Sequence, residues 1–183
     1  MSDLILLELG RVAVLTLNNP PLNLVSDELL TDLDVALADL AAAEPADVRA
    51  VVVSGGDFTF SAGSDVRAFE SHAGGAGRLH FEREEAVFSR LAQLPMPTIA
   101  AIEGHAMGGG LELALACDIR VCSEQANLGL PEVRLAVTPG AGGTQRLPRV
   151  VGIGRAKEMT LTGRILFAEE AEIEADLPYG KEH

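Results

Sequence analysis

The sequence has no tryptophan, one tyrosine and six phenylalanines, so aromatics make up only 4 % of the chain. Leu, Val, Ile and Ala must therefore fill the core. Cysteine is also scarce, which excludes a disulfide-rich scaffold. Cys117 and Cys122 sit in the apolar stretch from Ala116 to Cys122, with no further Cys or His nearby to complete a zinc site. They read as buried free thiols in a reducing, cytoplasmic setting. Only Lys157 and Lys181 are lysines, and 14 basic against 27 acidic residues give a net charge of -13. Such a field repels phosphate backbones and anionic lipid, so neither nucleic acid nor a membrane surface is expected as a partner. An anionic small ligand would need backbone N–H groups or a few placed arginines. No run reaches the roughly 18 apolar residues of a membrane helix. Met1-Ser2-Asp3-Leu4 lacks the basic start of a secretory signal, so none is expected.

What is present is ordinary for one globular domain. The chain has 183 residues, 48 % hydrophobic and 22 % charged, and a domain typically takes roughly 100–200. Leu4 to Leu9 and Val12 to Leu17 read as strands joined by a tight turn at Gly10-Arg11. Ser26 reads as the N-cap of a helix carrying Leu29 to Ala43. Val48 to Ser54 is a continuous apolar run, as in a buried parallel strand. Ser71 to Gly77 reads as a mobile Gly/Ala/His loop, and Leu79 to Leu91 as a helix ended by Pro95-Met96-Pro97. Thr98 to Ile102 and Ile119 to Cys122 are strand-like. Gly143 to Val151 and Ala156 to Leu161 read as two helices. Strands alternating with helices give an α/β class with βαβ units and a parallel sheet.

The most informative segment runs from Ile102 to Ala114. After a strand, Gly108-Gly109-Gly110 open a helix. Glycine lets a ligand approach the main chain, and a helix start offers free N–H groups and a positive dipole end. This suits an oxyanion or phosphate, or else simply close packing of helix on strand. It is neither a Walker loop, which needs Gly-Lys-Ser/Thr, nor G-x-G-x-x-G, since position 113 is Leu. Glu112, one turn into the helix, is either a buried acid with a raised pKa or a solvent-facing position. Glu132, after Pro131, is either a first-turn acid or the second carboxylate of a pair. Two carboxylates beside one oxyanion site suit water addition or proton transfer next to a carbonyl. Ser61-Ala62-Gly63-Ser64-Asp65 could add the Ser64 N–H as a second donor. Ser64 is a poor nucleophile, lacking G-x-S-x-G and a base placed by sequence among His72, His80 and His105. No H-E-x-x-H or similar spacing marks a metal site.

These segments in order resemble the crotonase superfamily of enoyl-CoA hydratases and isomerases. Val14 to Asn23 resembles the family's entry motif, and Phe60 to Val66 its first oxyanion loop. Gly104 to Asp118, G-H-A-M-G-G-G-L-E-L-A-L-A-C-D, is its signature. Leu128-Gly129-Leu130-Pro131-Glu132, Pro139 to Leu147 and Leu161-Thr162-Gly163-Arg164 complete the set, which covers about residues 5–172. The resemblance implies a crotonase-like spiral of ββα units, assembled as trimers or paired trimers. It implies an acyl-CoA thioester substrate and no separate cofactor. The N–H groups of Ser64 and Gly109 would hold the thioester oxygen. Glu112 and Glu132 would hold one water between them, Glu132 moving the α-proton and Glu112 orienting and helping to activate the water. Pro21, Leu22, Leu24, Ala62, Asp65, Val66, Gly108, Pro131 and Gly140 would line the substrate, with Arg67 near its nucleotide end. Having both glutamates points to hydration of a trans-2-enoyl-CoA. The alternatives are an isomerase, or an acyl-CoA-binding relative with little turnover. From Glu172 onward the family pattern is lost. The expectation is that helices usual in the family are missing, leaving an apolar patch uncovered and activity impaired unless association closes the site.

Overall fold

The computed structural model describes residues 4–44, 47–56, 59–66 and 76–175. Arg67, His72, most of the Ser71–Gly77 loop and the tail beyond Ala175 lie outside the described residues.

Two sheets organise the chain. In the larger, β1 (Ile5–Glu8) and β2 (Val12–Leu17) form the expected hairpin, with Ile5 opposite Leu17. β2 then pairs in parallel with β3 (Ala50–Ser54), β3 with β4 (Thr98–Ile102), and β4 with β6 (Ile119–Cys122). The order is β1-β2-β3-β4-β6. The parallel sheet predicted from the alternation of elements is thus correct for its centre and antiparallel at its edge. A tight turn can only reverse the chain onto its neighbour, so β1 and β2 must pair antiparallel. Along β2, Ala13, Leu15 and Leu17 are buried while their neighbours are less so, the two-residue period of a strand with one packed face.

α1 (Asp27–Ala42) starts where Ser26 Oγ accepts a hydrogen bond from the Leu29 N–H. Leu29, Leu30, Leu33, Leu37 and Leu40 line its buried face. Each such leucine contributes about 1.5–3 kcal/mol of burial. α2 (Ala76–Leu91) packs beside α1. Its buried stripe is His80, Glu84, Val87, Phe88 and Leu91, a helical spacing that includes two titratable residues.

The second sheet was not foreseen. β5 (His105–Met107) arises between β4 and the Gly108–Gly110 cluster, and pairs in parallel with β7 (Asn127–Gly129). β7 pairs antiparallel with β8 (Ile165–Phe167). Strands of three residues carry too little alternation to be seen as a period. α3 (Gly109–Ala116) follows β5 and is buried along its whole length. A 3₁₀ turn spans Glu132–Leu135. α4 (Gly143–Thr162) joins the two helices predicted there, with its break at Gly152, where φ is 78°. α5 (Ala168–Ala175) ends the described chain. Between α3, α4 and strands β6 to β8 lies an open groove of about 960 Å³ walled by Leu115, Leu147, Val151 and Met159. No helix among the described residues is long and apolar enough to cross a membrane. Cys117 is buried, Cys122 half-buried, and the two are not joined in a disulfide.

Candidate active site

The site forms where three chain segments are tied side by side. Ser61 N–H donates to His105 O at 2.9 Å, and Met107 N–H donates to Ser61 O at 3.0 Å, which lays the 60–64 segment along β5. On its other flank Ala62 N–H donates to Leu22 O at 2.9 Å and Asp65 N–H to Val25 O at 3.0 Å. Asn23 pins that flank. Buried, with φ of 48°, it donates through Nδ2 to both Gly55 O and Thr59 O at 2.8 Å, and its carbonyl accepts from Ser61 Oγ.

The register brings Ser64 N–H to Gly109 N–H. Gly63 between them adopts φ of 106°, and a Cβ there would lie 2.7 Å from Met107 O, so only glycine fits. At Gly109 a Cβ would stand 2.5 Å from Ser64 Oγ, 2.9 Å from Glu84 Oε1 and 3.4 Å from Ser64 N. Neither the Ser64 nor the Gly109 N–H is used by another backbone group among the described residues. Gly109 is also the first residue of α3, where the helix leaves N–H groups free. A cavity of about 90 Å³ opens on them, lined by Ala62, Gly63, Ser64, Val66, Gly108, Gly109, Glu112, Pro131 and Glu132, with Phe81, Met107, Leu135 and Val137 completing its wall.

Glu112 is 2 % exposed, which decides against the solvent-facing reading. Its Oε1 accepts from the N–H groups of Ala141 and Gly143 at 2.8 and 2.7 Å. The Pro139–Gly143 turn is therefore a cradle for this one carboxyl. Arg146 braces the cradle by donating to Ala141 O at 2.8 Å. Burial raises the Glu112 pKa, and the Gly143 and Ala141 donors and the Arg146 charge act against it. Glu132 enters from the 3₁₀ turn. Both of its oxygens are buried, and among the described residues neither makes a hydrogen bond of normal geometry. Burial pushes it up to about 7, with an opposing pull from its own N–H and a smaller further rise from the field of Glu112. A carboxyl near 7 can give or take a proton at neutral pH.

Sequence reasoning missed the third carboxyl. Glu84 on α2 is 0 % exposed, and Ser64 Oγ donates to its Oε1 at 2.6 Å. Burial pushes it up to about 8; the Ser64 hydrogen bond lowers it, and the fields of Glu112, Glu132 and Asp27 raise it. Its position on the buried stripe of α2 was the one available signal. Phe81, also missed, packs on the Gly140 backbone, where a Cβ would meet Phe81 Cδ1 at 2.7 Å.

Of the residues predicted to line a substrate, Ala62, Val66, Gly108 and Pro131 join the four central ones on the cavity. Pro21, Leu22 and Leu24 lie on the flanking loop outside its wall, Asp65 follows Ser64 and is tied to that loop at Val25 O, and Gly140 lies against Phe81. Pro21 follows a cis peptide bond from Pro20.

Comparison with known proteins agrees with this architecture. The enoyl-CoA hydratase/isomerase family profile matches residues 8–174. A probable enoyl-CoA hydratase of Bacillus subtilis is 45 % identical over 161 residues, covering 87 % of this chain and 62 % of that protein. The short-chain-enoyl-CoA hydratase of Clostridium acetobutylicum is 40 % identical over 173 residues, covering 93 % and 66 %. The crystal structure of an enoyl-CoA hydratase from Bacillus anthracis superposes with a TM-score of 0.87 at 40 % identity, covering 94 % of this chain and 67 % of that one. The fold is thus the crotonase-like one that the motifs imply. The chain spans a little under two thirds of the length of these two curated relatives.

Proposed function

Because the chain belongs to the enoyl-CoA hydratase/isomerase family, we propose that it adds water across the 2,3 double bond of a trans-2-enoyl-CoA. The observation that carries this reading is the convergence of Glu112 and Glu132 on one small cavity beside the Ser64 and Gly109 N–H groups.

The thioester oxygen accepts hydrogen bonds from both N–H groups. As water attacks C3, negative charge moves through C2 onto that oxygen, and the donors stabilise the enolate; each such donor is typically worth about 2.7–4 kcal/mol. Glu112, held by two backbone donors, orients the water and takes part in activating it. Glu132, on the same cavity and pushed up to about 7, carries the proton that ends on C2. The water's oxygen and one proton end on C3, its other proton on C2, so the step balances with no cofactor. Pro21, Leu22, Leu24, Asp65 and Arg67 remain the residues along which the coenzyme A portion runs, and a homo-oligomer the expected assembly.

Two carboxyls favour hydration over isomerisation, in which one group can shuttle a single proton. Hydration of crotonyl-CoA, followed by loss of the conjugated thioester absorbance, tests the reading. Glu132→Gln should abolish turnover and Glu112→Gln should reduce it at least a hundredfold. Double-bond migration that survives Glu112→Gln, with no hydration, would replace the hydratase with an isomerase.

A further inference from the structure

We infer that Glu84 is a positioning residue for the oxyanion donors, holding the Ser64 side chain against Gly109 from behind the cavity. The inference rests on the reading that the Ser64 and Gly109 N–H groups hold a thioester oxygen.

Geometry carries it. Glu84 belongs to none of the motifs and does not line the cavity, yet its carboxyl reaches the crowded face of Gly109. Ser64 Oγ, Glu84 Oε1 and Ser64 N all fall within 3.4 Å of where a Gly109 Cβ would stand. The 2.6 Å hydrogen bond fixes the Ser64 side chain, and through it the peptide whose N–H is one of the two donors. The second oxygen, Oε2, is buried with no hydrogen-bond partner among the described residues. An apolar side chain would fill this place on the stripe of Val87, Phe88 and Leu91 more cheaply than a buried carboxyl. The position thus favours local stability less than it favours control of Ser64.

The surroundings also set its charge. Glu112 from α3, Glu132 from the 3₁₀ turn and Asp27 from α1 all oppose its ionisation, as does burial itself. From its own helix His80 Nε2 lies 3.8 Å from Oε1, and His80 Nδ1 meets Asp27 Oδ1 at 2.9 Å. With Glu84 uncharged, an enolate oxygen has two N–H donors and a neutral group behind them. Once Glu84 ionises, a negative charge stands behind an oxygen that must itself become negative. Polarisation of the carbonyl should therefore weaken as pH rises through about 8, the value to which Glu84 is pushed.

An arylacryloyl-CoA thioester tests this directly, because its absorbance moves to longer wavelength as its carbonyl is polarised. In the full chain the red shift should be large at pH 6.5 and shrink by pH 9. Glu84→Gln, whose amide oxygen still accepts from Ser64 Oγ and never ionises, should lose clearly less of the shift between the two pH values than the parent, since only the Glu132 and Glu112 charges then change. Glu84→Leu should lose most of the shift at pH 6.5, with roughly a tenfold fall in kcat for crotonyl-CoA hydration, the size expected for one lost hydrogen bond. A Glu84→Gln protein with the same alkaline loss as the parent, or a folded Glu84→Leu protein with the parental shift, overturns the inference. A parent chain that shifts the band but hydrates nothing overturns the hydratase reading and leaves this one standing. A parent chain that does not shift the band at all overturns both.

Discussion

Replacing Glu84 with glutamine should change the pH dependence of folding stability, with no substrate present. In the fold the Glu84 carboxyl is pushed from 4.5 to about 8. A raised pKa means that the folded chain holds the proton over a range where the unfolded chain has released it. The stability this group contributes is complete below pH 4.5 and is lost as pH rises through about 8. For one carboxyl with that shift, the loss between pH 5 and pH 8 comes to about 3 kcal/mol. That is a large share of the 5–15 kcal/mol typical of a whole domain. Glutamine has no proton to lose, so its protein escapes this loss. Glu132 and Glu112, whose pKa values are also raised, weaken both proteins, so most of their effect cancels in the difference. Urea unfolding followed by circular dichroism at pH 5 and pH 8 measures it. With a slope of about 2 kcal/mol/M, the midpoint of the Glu84→Gln protein should gain roughly 1–2 M on the parent between the two pH values. A gap that stays constant between pH 5 and pH 8 would refute the reasoning, whichever protein is the more stable.

Gly109→Ala should abolish oxyanion binding, since its Cβ would stand 2.5 Å from Ser64 Oγ and 3.4 Å from Ser64 N. We expect kcat/KM for crotonyl-CoA to fall at least a hundredfold, the usual loss on removing such a donor, and wild-type turnover would contradict the assignment. Asn23→Ala should act on stability instead. It leaves Gly55 O and Thr59 O without their buried donor and places alanine at φ of 48°. A loss of about 2–4 kcal/mol is expected, visible in thermal unfolding as a lower Tm; an unchanged Tm would show that other contacts hold the loop.

The local features of the chain were legible because they depend on near neighbours. Gly10-Arg11 makes a hairpin, Ser26 caps a helix, and the leucines of α1 repeat at helical spacing; each is decided within a few residues. The glycine cluster at Gly108–Gly110 and the small residues around Gly63 likewise announced backbone that must be approached closely. Together with the motif order they were enough to assign the family and to nominate Ser64, Gly109, Glu112 and Glu132, which the fold brings to one cavity. What the tertiary structure alone decided depends on distant partners. Glu112 is buried because the turn at Ala141 and Gly143 folds back from 29 and 31 residues away. Before that turn is placed, the same side chain could equally face water. The second sheet depends on strands too short to show a period, and it exists because β5, β7 and β8 meet. Glu84 shows the difference most clearly. Its spacing marks it as a buried position on α2, but only the packing of α2 against Ser64 and Gly109 makes that buried acid a neighbour of their N–H groups.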